Sequence, residues 1–230
     1  EQHRFGVNQR LALRKKGAGE NSSPHQVIMT ATPIPRTLSM GFHTEMDVSI
    51  LDELPPGRLP IKTSVLSSDK RDDIIAQVNF ACQAGRQAYW VCTLINESES
   101  LECEAAEKVA NELREKLPRV SIGLVHGQLP SREKNRCMQE FKKGTLDLLV
   151  CTTVIEVGVD VPNASLMIIE NSERLGLAQL HQLRGRVGRG SEASHCLLLY
   201  KKPIGAIGRQ RLDVMRNSND GFFIAEKDLE

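Results

Sequence analysis

The sequence predicts an α/β protein, a mainly parallel sheet with helices on both faces. Short runs rich in Val, Ile and Leu alternate with longer segments whose apolar residues recur at helical spacing, and this alternation holds from about residue 61 to about residue 200. One run, 146–152, is apolar almost without a break, as a strand covered on both faces would be. Parallel neighbours require helical crossovers of one hand. Ligands on such sheets bind beyond the carboxyl ends of the strands.

In chain order, residues 1–19 carry an apolar pattern (Val7, Leu11, Leu13) among Arg10, Arg14, Lys15 and Lys16, closed by Gly17 and Gly19, which predicts a short, thinly buried helix. Residues 26–30 (QVIMT) read as a strand, and Thr32-Pro33 as the N-cap and first position of a helix. Residues 47–51 read as a further strand, and 54–58 (LPPGR) as a linker at a domain boundary. Beyond it, strands are expected at 61–66, 87–93, 121–126, 146–152, 166–170 and 196–200. Helices are expected at 69–84 (on Ile74, Ile75, Val78 and Cys82), at 101–117 (on Leu101, Ala105, Val109, Leu113 and Leu117), at 131–143 and at 179–190. After 203 the pattern weakens: Ile207, Arg211, Leu212 and Met215 suggest a helix, 217–221 a turn, and 222–229 the start of another element.

Composition narrows the class. The chain of 230 residues, 40% hydrophobic and 26% charged, suits a soluble globular protein of one domain or two small ones. Thirty Lys and Arg against 29 Asp and Glu leave a net charge of +1, so a nucleic-acid footprint must come from local clusters. Six cysteines without a C-x-x-C pair suggest reduced thiols in an intracellular protein and no metal. There is no signal peptide and no apolar run of about 18 residues, so no membrane span is expected. The chain starts at Glu1 and not at Met, which reads as a piece of something longer.

Two stretches carry chemistry. In QLHQLRGRVGRG (179–190), a helix would place Gln182, Arg186 and Arg189 at i, i+4 and i+7, one amide and two guanidiniums on a face suited to phosphate. Gly185 and Gly188 would each cost roughly 1 kcal/mol inside that helix, which implies close approach of another backbone. The alternative is a solvated basic helix near a turn. In TTVIEVGVDVP (152–162), the hydroxyls of Thr152 and Thr153 can meet a nucleic-acid phosphate, Gly158 admits close backbone approach, and Asp160 can accept from a ribose hydroxyl or pair with an arginine. The alternative is a polar crossover loop.

Thr30-Ala31-Thr32, TTVIEVGVDVP and HQLRGRVGR resemble, in that order, motifs III, V and VI of superfamily-two helicases. ATPIPRTL, ENSERLGLAQLHQLRGRVGRG and DGFFIAEKDLE are similar to the bacterial branched-DNA helicases and to their cousins, the transcription-repair coupling translocases; VIEVGVDVPNASLMIIEN and ILDELPPGR favour the former. The resemblance covers nearly the whole chain. It implies a RecA-like fold, with 1–55 the trailing part of a first lobe, 56–203 a complete second lobe and 204–230 the start of a helical hairpin, the TRG segment. Glu1-Gln2-His3 resembles the end of a DEQH box, whose Glu1 would orient or activate the attacking water, with His3, Thr30, Thr32, Asp220 and Gly221 coupling nucleotide state to DNA grip.

The same resemblance makes Arg186 and Arg189 arginine fingers positioned by Gln182, with Gly158 and Asp160 facing the nucleotide. Thr93, His126, Gly127, Thr152 and Thr153 would follow one DNA strand through its phosphates; for His126 an ordinary strand-end histidine is the alternative. The implied cofactors are ATP and Mg²⁺, and the implied partners are the first lobe and wedge domain of the same parent protein together with branched DNA (replication forks, Holliday junctions), in the bacterial cytoplasm. The sequence has no G-x-x-x-x-G-K-[ST] loop, so the chain alone is expected not to hydrolyse ATP. A chain separated from its first lobe is also expected to leave strand 26–30 misplaced or poorly ordered. A non-catalytic nucleic-acid or partner-binding module is the remaining alternative.

Overall fold

The computed structural model describes residues 7–16, 25, 27, 29, 47, 49–51, 53, 55, 57–93, 99–153 and 160–229. Helix α1 (Val7–Lys16) matches the first expected helix, and its Leu13 is exposed. Within the expected strand 26–30, Val27 and Met29 lie in no strand and are exposed; the other three residues lie outside the described set. The strand expected at 47–51 is not formed by its described residues either, and Leu51 is 93% exposed. Apolar content alone does not create a strand, because a strand also needs a paired neighbour for its backbone N–H and C=O groups.

From Lys62 onward the expected alternation is present. The strands are β1 (Lys62–Ser67), β2 (Gln87–Val91), β3 (Ile122–Val125), β4 (Leu148–Cys151), β5 (Ala164–Ile169) and β6 (His195–Tyr200). They form one six-stranded sheet in the order β1-β6-β5-β2-β4-β3, and every pairing is parallel. The helices are α2 (Arg71–Gln83), α3 (Glu99–Lys116), α4 (Ser131–Lys142), α5 (Leu177–Arg184), α6 (Ala206–Asn217) and α7 (Gly221–Lys227).

Alternation along each strand feeds two cores. Tyr89, Val91, Leu149, Cys151, Met167, Ile169, Cys196 and Leu198 pack with α4, α5, α6 and α7 through Phe141, Leu180, Leu183, Leu212, Met215 and Ile224. On the opposite face, Ala88, Trp90, Leu148, Val150, Leu166, Ile168, Leu197 and Leu199 pack with α2 and α3. Coverage of both faces is why the central strands read as unbroken apolar runs. At the start of β2 the buried Gln87 side chain donates to the carbonyls of Phe141 and Leu146 at 2.5 and 2.7 Å. All six cysteines carry free thiols.

Two helices depart from expectation. In α3 the buried residues are Cys103, Ala106, Ala110 and Leu113, with Leu117 just beyond its end, whereas Leu101 is 41% exposed and Val109 half-buried. A strict step of four residues advances 400°, so it drifts about 40° per step and cannot stay on one face; spacings of three and four do. The helix expected at 179–190 starts earlier and ends at Arg184, with Gly185 as its C-cap. Arg186 and Arg189 therefore do not share a helical face with Gln182. Gly188 has φ +75°, a left-handed conformation that ends helices and that glycine adopts without strain.

Candidate functional site

The candidate residues gather at two ends of the sheet. At the carboxyl ends, the adjacent strands β5, β2, β4 and β3, the last at the sheet edge, place Asn171, Thr93, Thr152 and His126 in a row, about 14 Å wide at the usual strand spacing. The Thr152 amide donates to Val125 O at 3.2 Å, and the Cys92 amide to Cys151 O at 2.8 Å, so these loop residues prolong the ladder. Thr93, His126 and Thr152 are buried, while Gly127 and Thr153 are half-buried.

Thr93 is held from several sides. Its hydroxyl donates to Glu170 O at 2.5 Å, and Asn171 Nδ2 donates to Thr93 O at 3.0 Å. Asn171 sits at φ 48°, where an Asn is tolerated far better than a branched residue. The Glu170 carboxylate accepts from Arg71 Nε at 2.7 Å, whose Nη1 donates to Glu112 at 2.6 Å while the guanidinium lies 5.3 Å from the Trp90 ring centroid. Burial alone would lower the Arg71 pKa; the hydrogen bonds to Glu112 and Glu170 outweigh it and raise it. His126 Nε2 lies 3.4 Å from Glu107 Oε1, and Lys134 Nζ donates to Gly127 O at 2.5 Å.

The second cluster lies at the amino ends. Asp160 precedes β5, and Arg189 Nη1 donates to its carboxylate at 3.2 Å. Arg189 Nε also donates to Gly185 O at 3.3 Å, folding the side chain over its own turn. The turn 185–190 rests on the strand starts: a Cβ on Gly188 would lie 2.9 Å from Ile61 Cγ1, and one on Gly190 only 2.5 Å from Pro162 O. Of the two glycines expected to mark close approach of another backbone, Gly188 meets the side chain of Ile61, while a Cβ on Gly185 would lie 3.4 Å from Gln182 O of its own helix. Arg186 is half-buried, and burial raises the Tyr89 phenol pKa, with the charges of Arg186 and Arg189 opposing that rise. Gln182 is half-buried in the last turn of α5. Glu1, His3, Thr30, Thr32 and Gly158 lie outside the described residues.

Sequence reasoning passed over the residues that hold α5 in place. Arg184 is buried without a carboxylate; its Nη1 donates to the carbonyls of Met215 and Ser218 at 3.0 and 2.7 Å, closing the end of α6. Its Nη2 lies 3.1 Å from His181 Nδ1. Burial, with Arg184 adding to it, lowers the His181 pKa to about 4, so the ring is neutral and Nδ1 accepts. Asp220 caps α7 by accepting from Phe222 N at 2.8 Å and Phe223 N at 3.4 Å, and Gly221 abuts the His181 ring. Asp228 accepts from the first amides of α5, Leu177 N at 2.9 Å and Ala178 N at 3.3 Å. An acid after a helix suggests nothing by itself, so only the fold reveals that contact.

A parallel six-stranded sheet of this order, with helices on both faces, defines an α/β domain of the RecA-like class. The chain belongs to the helicase conserved C-terminal domain family, whose model matches residues 69–191. It is 64% identical over 231 residues to the ATP-dependent DNA helicase RecG of Pasteurella multocida (strain Pm70) and to that of Escherichia coli (strain K12), covering all of this chain and 33% of each relative. The solved structure of RecG bound to a three-way DNA junction matches with a TM-score of 0.81 and 40% identity, over 100% of this chain and 29% of that one. The chain spans about a third of the length of these relatives. The expected RecA-like helicase lobe is present, and the match to RecG along the whole chain favours the branched-DNA reading over the transcription-repair coupling one.

Proposed function

We propose that this chain is the second motor lobe of an ATP-dependent DNA helicase that acts on branched DNA in recombination and repair, in the bacterial cytoplasm. Residues 1–55 are then the tail of the first lobe, 56–203 the second lobe, and 204–230 the opening of the hairpin that follows it. The observation that carries the reading is the Asp160–Arg189 pair on the glycine turn. Its side chains are 58% and 32% exposed, so the pair is worth at most about 1 kcal/mol and the guanidinium is readily released. A γ-phosphate presented from the facing lobe would take Asp160's place. Arg189, with Arg186, would then stabilise charge on the phosphoryl group as it passes to water, an effect on the order of 10³ to 10⁵ in rate.

At the other end, Thr152, Thr153, Gly127 and the Thr93 loop would track one strand through its phosphates, a contact blind to base sequence. The described residues hold no group of three or more His, Cys, Asp or Glu fit for a metal ion.

In the full-length protein, Arg189→Ala should lower DNA-stimulated ATP hydrolysis by about 10³-fold or more while DNA binding changes less than about threefold. Turnover within tenfold of the unaltered protein would remove the finger assignment. A non-catalytic binding module is the competing reading, because the sequence contains no phosphate loop. An ATPase assay on the 230 residues alone should show no turnover; measurable hydrolysis would contradict the need for a facing lobe.

A further inference from the structure

We infer that Arg58, in the linker ahead of β1, is a positioning residue that aims Arg189. The inference rests on the finger reading above. Arg58 N donates to Pro55 O at 3.1 Å, with Gly57 at φ 81°, so the root of the Arg58 side chain is fixed locally. Its Nε donates to Gly188 O at 3.0 Å, across 130 positions of sequence. Three residues on, Ile61 fills the space beneath Gly188 where a Cβ would stand. The linker therefore holds Gly188 from its carbonyl side and from its Cα side.

The geometry gives that grip a consequence. Gly188 C=O and Arg189 N belong to one planar peptide unit, so fixing the carbonyl fixes the direction in which Arg189 leaves the turn. Gly188 also sits at φ +75°, where its backbone is held in a conformation that glycine adopts without strain. A displacement of the linker is transmitted to Arg189 through one hydrogen bond, and a misplacement of about 1 Å at a reacting group can cost on the order of 100-fold in rate.

Three substitutions separate donor from charge. In glutamine, Nε2 is the same number of bonds from Cα as Nε of arginine, so Arg58→Gln keeps an N–H donor at that position and loses the charge. Arg58→Lys keeps the charge and puts a methylene there. In the full-length protein, Arg58→Ala and Arg58→Lys should lower kcat for DNA-stimulated ATP hydrolysis by about 10- to 100-fold with KM for ATP within twofold, and Arg58→Gln should stay within about threefold of the unaltered protein. Recovery by Lys but not Gln would show that Arg58 acts by its charge, and any other order, or a parallel rise in KM, overturns the inference as well. Arg189→Ala is measured alongside. If it retains turnover, the finger reading fails; if it is inactive while all three Arg58 variants turn over normally, only the Arg58 inference fails.

Discussion

Gly188 shows how much one residue decides. Its φ of +75° lies where an L side chain costs about 1 to 2 kcal/mol, and a Cβ would also press on Ile61. Gly188→Ala should destabilise this chain by about that amount in urea unfolding, seen as a lower midpoint at unchanged slope. In the full-length protein it should also slow ATP hydrolysis, since the turn carries Arg189. An unchanged midpoint would sink the claim that Gly188 is conformationally required. Gly190 is stricter in space, because the atom it faces is the backbone oxygen of Pro162 and not a side-chain end that can swing away. Gly188 was legible in the sequence, with Gly185, as a sign of close approach, whereas Gly190 was not singled out. What Gly188 approaches was not legible, because Ile61 is remote in the chain.

At the scale of elements, α5 is a short helix held at both ends by contacts with residues 215–228. Arg184 near its end closes the carbonyls of α6, and Asp228 accepts from the amides at its start. A carboxylate at a helix N-terminus satisfies free amides and meets the positive end of the helix dipole. Asp228→Ala should therefore cost about 1 kcal/mol of unfolding free energy and make the segment after residue 217 more open to proteolysis, with Asp228→Asn losing roughly half as much. Equal stability of all three proteins would show that the contact carries nothing. The helix itself was misjudged at its end. Apolar and basic spacing continues to Arg189, but Gly185 and Gly188 stop the hydrogen-bond ladder, and a face that exists only in a helix disappears with it.

The whole chain should respond to acid through His181. Its folded-state pKa of about 4 lies below the ordinary value near 6.5, because burial and the Arg184 guanidinium both disfavour the charged ring, with Asp220 opposing them. Between those values the unfolded state binds more protons, so stability is fully present above about pH 6.5 and falls as pH drops toward 4, by up to roughly 1.4 kcal/mol per pH unit. His195, lowered by burial and by Lys62 and Arg86, acts with the same sign. Glu112, held below its ordinary range chiefly by Arg71, contributes only at lower pH. Urea midpoints measured from pH 7 to pH 4 should decline, and His181→Asn, which keeps an acceptor near the position of Nδ1, should flatten the slope. A parallel slope in that variant would count against His181 as the cause.

The sequence by itself determined the six strands, their alternation with helices and the parallel sheet, because burial on both faces writes itself directly into apolar runs and helical spacing. It also marked the chemistry-bearing stretches at 152–162 and 179–190. Tertiary structure alone decided that the first stretch divides between the two ends of the sheet, Thr152 lying with Thr93 and His126 at the carboxyl ends and Asp160 pairing with Arg189 of the second stretch at the amino ends. It also decided that Arg58, Arg184 and Asp228 belong to the arginine helix and its turn. The physical reason for Arg58, Arg184 and Asp228 is that backbone carbonyls and amides are their partners; every residue supplies those groups, and side-chain pattern therefore leaves no trace of which one is chosen.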